Sequence, residues 1–394
     1  MIPMSSPDIG EAERQAVAAV LNTPILSIGK QIEAFEDAFR QRLGCAQAIG
    51  VNSGTAGLHL CVRAAGVRDG DFVLTSPFSF VSSSNVILYE RGVPIYVDVD
   101  AKTGNLDVEQ ACQAVRDLSE GGKAASRWLP RRSVNGSAGK AGALKAILSV
   151  DVFGQPADSD PLLEIARQYD LPVIEDACEA LGATYKNRPA GLLGDFAVFA
   201  FYPNKQITTG EGGMIVTQDE EAANFMRSLR NQGRAVGDTW LQHTFLGYNY
   251  RLDEMSAAIG RVQMERLDDL MEKRQRVANW YTQRLQQIAA VEPPYLAPTT
   301  TRPSWFVYVV RFAPKVDRDR VARELSKRGV PARPYFLPIH LQPYIAEQFG
   351  YRLGDFPVTE ELGRRGLALP FSGVMTEAQV EQVCAVLEDV LRAF

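Results

Sequence analysis

The chain is poor in the residues that build metal centres and covalent cross-links. Its 394 residues include three histidines, His59, His243 and His340, and five cysteines, Cys45, Cys61, Cys112, Cys178 and Cys384. An odd, scattered set of cysteines without a C-x-x-C pair argues against a disulfide framework and a zinc knuckle, and fits a reducing, cytoplasmic setting. Positive charge is not in excess either, and a formal net charge of -5 gives no electrostatic footprint for nucleic acid. No apolar run approaches the ~20 residues that span a bilayer, and the opening MIPMSSPDIGEAER lacks the basic, apolar pattern of a signal peptide. A soluble protein is expected. No internal repeat is present.

What the chain has is length and a 46% apolar content, too much for one simple core, so a large domain and a smaller one are expected. Amphipathic helices to about Leu21 and from Lys30 to Leu43 lead into repeated strand–helix units: AIGV before LHLCVRAAG, Asp71–Thr75 before VSSSNVILYERG, then PIYVDVD and AILSVDVFG. This alternation predicts an α/β sheet with helices on its faces. From Ser119 to Lys145 the sequence carries Lys123, Arg127, Arg131, Arg132 and Lys140 against Glu120, with Gly and Ser throughout, and reads as a long, solvated basic loop. From Asp253 onward a long amphipathic helix (EMSAAIGRVQMERLDDLMEKRQRVANWYTQRL), a strand WFVYVVRF, a helix DRDRVARELSKRG and a last helix from Thr376 to Arg392 make the smaller domain.

Four features carry chemistry. The strand AIGV runs through Asn52-Ser53-Gly54-Thr55 into a helix start, where free N–H groups and the helix dipole favour a phosphate, although Ser and Thr there also serve as plain N-caps. Phe80 stands where a strand gives way to a helix, either in the core or stacked on a flat heterocycle. The strand from Leu171 to Ile174 delivers two adjacent acids, Glu175 and Asp176, where open α/β sheets bind ligands. None of the three histidines is clustered with these acids, so no metal is expected. The fourth feature is Asp195–Gly213, DFAVFAFYPNKQITTGEGG: an aromatic-rich strand that stops at Pro203 and presents Lys205 among glycines. A phosphate turn, a ring platform, an acid at one strand end and a lysine at another are what pyridoxal 5'-phosphate requires. The lysine bonds the aldehyde, and the acid keeps the ring nitrogen protonated.

The chain resembles the DegT/DnrJ/EryC1/StrS family of sugar aminotransferases. The likeness runs through PDIGEAE, LSIGKQIEAFEDAF, NSGTAGL, EDACEALGA, FAFYPNKQITTGEGGMI, GYNYRLDEMSAAIG and LPIHLQPY, and leaves only the basic insertion outside. The resemblance implies fold type I: a large domain over residues 1–252 with a mixed, mostly parallel sheet, and a smaller α+β domain over 253–394. It also implies transfer of an amino group from glutamate to a 3- or 4-keto, nucleotide-linked sugar by a ping-pong scheme, in amino-sugar or surface-polysaccharide synthesis, by a homodimer with shared sites.

Residue by residue, the resemblance makes Lys205 the cofactor's lysine, Asp176 the partner of its ring nitrogen, Gly54 and Thr55 its phosphate turn and Phe80 its stacking ring. Asn249, in GYNYR, matches an asparagine that reaches the phosphate from the neighbouring subunit. Arg333, Tyr335 and His340 match a loop that approaches the sugar nucleotide; His340 is equally well read as a hydrogen-bonded structural histidine, and Arg333 as a surface pair. Two positions depart from the family. Ala200 stands where serine often supplies a phosphate ligand, and Glu179 stands where glutamine or histidine commonly lies near the cofactor's phenolic oxygen. A carboxylate there repels a phenolate unless it is protonated or turned away. A cofactor-binding regulator without turnover, a plain nucleotide-binding module and a sugar dehydratase are the alternatives. The last would have histidine in place of Lys205.

Overall fold

The computed structural model describes residues 2–132, 142–235 and 242–392. Its main sheet has seven strands: β1 (Gln47–Val51), β2 (Phe72–Thr75), β3 (Val93–Tyr96), β4 (Leu144–Val150), β5 (Val173–Asp176), β6 (Phe196–Ala200) and β7 (Gly213–Thr217). They lie in the order β1-β7-β6-β5-β4-β2-β3. Only β7 runs against the rest, pairing antiparallel with both β1 and β6. Both faces of such a sheet are covered, which is why its strands read as short continuous apolar runs rather than alternating ones. In β6 the alternation still sorts side chains by face. Phe196 and Val198 enter one core with Leu58 and Ile215, while Ala197 and Phe199 enter the other with Phe35 and Phe39.

A second, antiparallel sheet joins Val291–Glu292, Tyr308–Phe312, Gly366–Leu369 and Arg333–Pro334. Its apolar face packs on the helices Arg318–Lys327 and Glu377–Arg392 and on the second half of the helix Leu267–Leu285. Three short strands, Thr300–Arg302, Thr184–Tyr185 and Arg188–Pro189, form a third sheet. No helix among the described residues is long and apolar enough to cross a membrane.

The boundary expected between Leu252 and Asp253 is not where the packing changes. The helix Glu254–Glu265 lies on the amino-terminal helices Glu11–Leu21 and Lys30–Leu43. In the helix Leu267–Leu285, Leu267, Leu270 and Met271 belong to the core of the main sheet, whereas Val277, Tyr281 and Leu285 belong to that of the smaller sheet, which Ile2 also enters. We therefore place the division of the chain inside this helix. The long helix expected from Glu254 is itself interrupted at Arg266, where the backbone turns to φ -96°, ψ 4° and the guanidinium is held by Asp8 and Glu13.

The long basic loop also needs correction. A helix spans Gly122–Ser126, and the arginines that follow, although exposed, are paired. Arg127 meets Asp117 at 2.5 Å, Arg131 makes a two-pronged contact with Asp355, and Arg132 donates to the Glu347 carbonyl. Their acceptors lie outside the charge-rich window, so counting charge within it missed them. Lys140 lies outside the described residues.

One acid joins the two ends of the large unit. Gly29 opens the helix Lys30–Leu43 without a capping side chain. Glu254, buried, reaches across and accepts from the N–H groups of Gly29 at 3.0 Å, Gln31 at 2.8 Å and Ile32 at 3.2 Å. These are the donors that a helix start leaves unpaired, and the negative charge suits the positive end of the helix dipole. Glu254→Ala is expected to cost about 3 kcal/mol, and Glu254→Gln, which keeps an acceptor, about 1 kcal/mol. Urea unfolding of the two variants against the parent chain measures both.

Candidate active site

The carboxyl ends of β4, β5 and β6 and the turns after them open on a cleft of about 460 Å³. The helix Gly54–Ala64 starts at its edge. Ser53 caps that helix, its Oγ accepting from the Ala56 N–H at 3.1 Å, and the first-turn N–H groups of Gly54 and Thr55 have no acceptor within the helix. A Cβ on Gly54 would stand 2.7 Å from the Ala200 methyl and 2.9 Å from Cys178 Sγ, so only glycine lets this turn come so close to β6.

Of the paired acids, one faces the cleft. Asp176 ends β5 between Val150 of β4 and Val198 of β6. It lines the cleft, accepts from Ser83 Oγ at 2.6 Å and from the Cys178 N–H at 3.3 Å, and Ser83 in turn meets Ser79 at 2.9 Å. Strand alternation sends Glu175 to the opposite face, where it accepts from the N–H groups of Gly191 at 2.6 Å and Leu193 at 2.9 Å. Burial and then the Glu175 charge hold the nearby Asp151 carboxyl well above the usual carboxylate range. Glu175 is therefore a structural acid.

Lys205 follows β6 in a turn closed by its N–H on the Tyr202 carbonyl at 2.9 Å. Its Nζ lies 3.7 Å from Glu179 Oε1 and 3.8 Å from the centre of the Phe306 ring, with 13% of the lysine side chain and 8% of the glutamate side chain exposed. Glu179 also accepts from the Phe153 N–H at 2.8 Å. Phe153 sits at φ 58° in the turn after β4, and at the next residue, Gly154, a Cβ would lie 1.5 Å from the Ser304 carbonyl oxygen. Burial pushes the Glu179 carboxyl up to about 7; the Lys205 ammonium and the Phe153 N–H pull it down, and Asp176 adds to the rise. Tyr335 lines the same wall, its hydroxyl pushed up to about 12 by burial and by Glu179.

The remaining candidates divide. Phe80 is 63% exposed at the cleft and so forms a wall, not core. Asn249 is exposed and does not line the cleft of its own chain. Its neighbours Tyr248 and Tyr250 stack at 4.8 Å and are held by Arg63, Glu90 and His59. Arg333 is exposed on the smaller sheet, away from the cleft lining. His340 is fully buried, with Nε2 3.0 Å from Glu360 Oε1, and is not among the residues that line the cleft. Sequence reasoning passed over Ser83, Phe306 and Arg274. Ser83 lies in a legible serine run at a helix start; the other two come from beyond Asp253 and carry no local signal.

Comparison with known proteins places this geometry. The model of the DegT/DnrJ/EryC1/StrS aminotransferase family matches residues 7–388. The chain is 38% identical over 394 residues to GDP-perosamine synthase of Caulobacter vibrioides, covering 99% of this chain and 98% of that one. It is 33% identical over 404 residues to the spore coat polysaccharide biosynthesis protein SpsC of Bacillus subtilis, covering 99% and 97%. The crystal structure of the aminotransferase TlmJ from Streptoalloteichus hindustanus superposes with a TM-score of 0.86 at 29% identity, over 100% of this chain and 99% of that one.

The displacement of Glu179 from 4.5 to about 7 makes stability depend on pH. Between those values the folded chain holds a proton that the unfolded chain has released, so this group's stabilisation is complete below about 4.5 and is lost as pH rises through about 7. The whole effect is roughly 3 kcal/mol. Glu179→Gln removes this loss, so the variant gains on the parent chain as pH rises across that window. Urea midpoints measured without added ligand at several pH values give the difference, and parallel profiles would contradict it.

Proposed function

The chain belongs to the DegT/DnrJ/EryC1/StrS aminotransferase family and is a pyridoxal-phosphate-dependent sugar aminotransferase; from that premise we propose that it moves an amino group from glutamate to a 3- or 4-keto, nucleotide-linked sugar at the cleft around Lys205. Its likeness to a GDP-perosamine synthase favours a GDP-linked acceptor, and its likeness to a spore coat polysaccharide protein favours a role in surface-polysaccharide synthesis. The observation that carries the reading is the meeting in one cleft of the Lys205 amine, the Asp176 carboxylate and the start of the helix Gly54–Ala64.

This donor set suits pyridoxal 5'-phosphate. Gly54 and Thr55 would hold the phosphate with first-turn N–H groups, and the close approach that requires glycine at 54 shapes that cradle. The donor that the family often finds at position 200 is replaced by a methyl packed on Gly54. Asp176 would hold the ring nitrogen, Phe80 would cover the ring face, and Lys205 would bond the aldehyde carbon. When bound, the cofactor supplies an electron-accepting ring and carries the amino group between the two substrates.

The chain's own groups do the rest. Displaced by the incoming amine, a neutral Lys205 amine would be the base that takes the proton from the substrate Cα and delivers it to a carbon two bonds away, across the nitrogen. Ser83 Oγ, donating to Asp176, fixes the orientation of that carboxylate so that it keeps a proton on the ring nitrogen. Glu179 in its protonated form would donate towards the phenolic oxygen, which an ionised carboxylate would repel. Phe306 and Tyr335 limit the access of water to the lysine. Both substrates use these groups in turn.

The active unit is a homodimer in which Asn249 serves the partner's site. Asn249 is turned outward between two anchored tyrosines, and Ile25, Leu26, Ile28, Phe245 and Leu246 leave a large apolar surface exposed for a second copy to cover. A side-chain amide donates well to phosphate, and the methyl at Ala200 makes such a donor more needed. Lys205→Ala is expected to abolish turnover with the fold intact, and Asn249→Ala to weaken cofactor retention with the lysine untouched. Mixing the two variants under demonstrated subunit exchange, at a cofactor concentration where each parent alone is inactive, should partly restore activity, because one site of each mixed dimer keeps both residues. No recovery would refute the shared site, and a fully active Lys205→Ala would refute the assignment of the lysine.

A further inference from the structure

Arg274 lies in the helix Leu267–Leu285 where that helix passes from the core of the main sheet to that of the smaller one. Its side chain is buried, with 4% of the residue exposed, and among the described residues no carboxylate is paired with it. All its bonds go to main-chain carbonyls. Nη1 donates to Trp305 at 3.0 Å and Phe306 at 3.2 Å; Nη2 donates to Asn204 at 3.1 Å and to Lys205. One guanidinium thus grips the backbone of both residues whose side chains meet in the cleft, where Lys205 Nζ stands 3.8 Å from the centre of the Phe306 ring.

We infer that Arg274 is a positioning residue: by tying the Lys205 and Phe306 carbonyls to one planar fork it fixes where the lysine amine stands against the Phe306 ring, and so sets the amine's reach. The inference rests on the reading of Lys205 as the lysine that bonds the cofactor.

The geometry favours this role over that of a simple structural clip. A guanidinium presents donors in a rigid plane along two edges, so it can bridge two separate peptide segments at once, whereas a lysine ammonium in the same place offers a single point. A buried cation without an acid beside it is an expensive way to join two loops, and neutral side chains would join them at lower cost. Burial pushes the Arg274 guanidinium down to about 10, which still leaves it charged at neutral pH. The Phe306 ring presents its face to the lysine at 3.8 Å, so a small displacement of either residue changes where the amine stands. The surrounding bonds act in the same direction. Gln206, next to Lys205, donates to the Glu179 carbonyl at 2.5 Å and to Ser304 Oγ at 2.7 Å, and the Ser304 N–H binds the Gly154 carbonyl at 2.9 Å. The lysine turn, the Glu179 turn and the start of the Trp305–Phe306 segment are therefore one connected piece, which Arg274 joins from the helix Leu267–Leu285.

The test uses the purified holoenzyme, the visible band of its cofactor and steady-state kinetics. Arg274→Lys keeps the charge and loses the fork. It is expected to retain a band that responds to glutamate, to lower kcat by roughly 10- to 100-fold with KM for either substrate little changed, and to shift the pH at which the band titrates. Methylguanidinium added to Arg274→Ala should restore part of kcat without raising the melting temperature. Phe306→Leu leaves every Arg274 bond in place, so it carries the test if the Arg274 variants do not fold; it should shift the titration of the band at an unchanged melting temperature. A band that titrates as in the parent enzyme in all folded variants, or an activity loss that merely follows the folded fraction, overturns the role of Arg274. A parent protein with no band at all would instead refute the reading of Lys205.

Discussion

An ammonium held beside a carboxylate, both mostly buried at the floor of one cleft, is the constraint on which the rest of the molecule depends. Lys205 Nζ and Glu179 Oε1 lie 3.7 Å apart. Such a pair gains about 4 kcal/mol at the effective dielectric of a protein surface, while removing each ion from water costs several kcal/mol. The pair is therefore not a stabilising device, and the rise of the Glu179 carboxyl to about 7 expresses the same imbalance. A chain that keeps these groups buried has to brace them from outside the cleft.

The bracing comes from three directions. Parallel strands bring the ends of β4, β5 and β6 to one edge, which sets Asp176, the Phe153 turn and the Lys205 turn side by side. The turn after β4 is shaped so that its N–H reaches Glu179, and Gly154 allows the Ser304 backbone to pass against it. From the smaller unit, Ser304, Trp305 and Phe306 are tied to the lysine turn through Gln206 and Arg274. The cleft therefore depends on contact between two separately packed cores, and the helix Leu267–Leu285 that belongs to both is the natural place for the side chain that joins them.

Much of this was legible in the sequence because the signals were local. Short apolar runs ending in Gly, Pro or an acid marked β5 and β6 and put Asp176 and Lys205 at strand ends, where the structure has them. What escaped was tertiary. Glu175 and Asp176 looked alike until strand alternation assigned them to opposite faces. The pairing of the basic run was hidden because Asp117 and Asp355 lie outside it. Glu254 read as the start of a second domain, yet it caps a helix more than two hundred residues earlier in the chain. Arg274 sits among other charged residues of an amphipathic helix, and nothing in its neighbours distinguishes a buried fork from a solvated one.

The central claim is that Lys205 bonds the cofactor and releases it to an amino donor. Borohydride reduction of the purified protein, followed by digestion and mass spectrometry, fixes the cofactor to whichever lysine holds it. The expected result is a pyridoxyl group on the peptide that contains Lys205, and its loss when the protein is treated with glutamate before reduction, because amino transfer frees the lysine. A pyridoxyl group on a different lysine, or labelling of Lys205 that glutamate leaves unchanged, would contradict it.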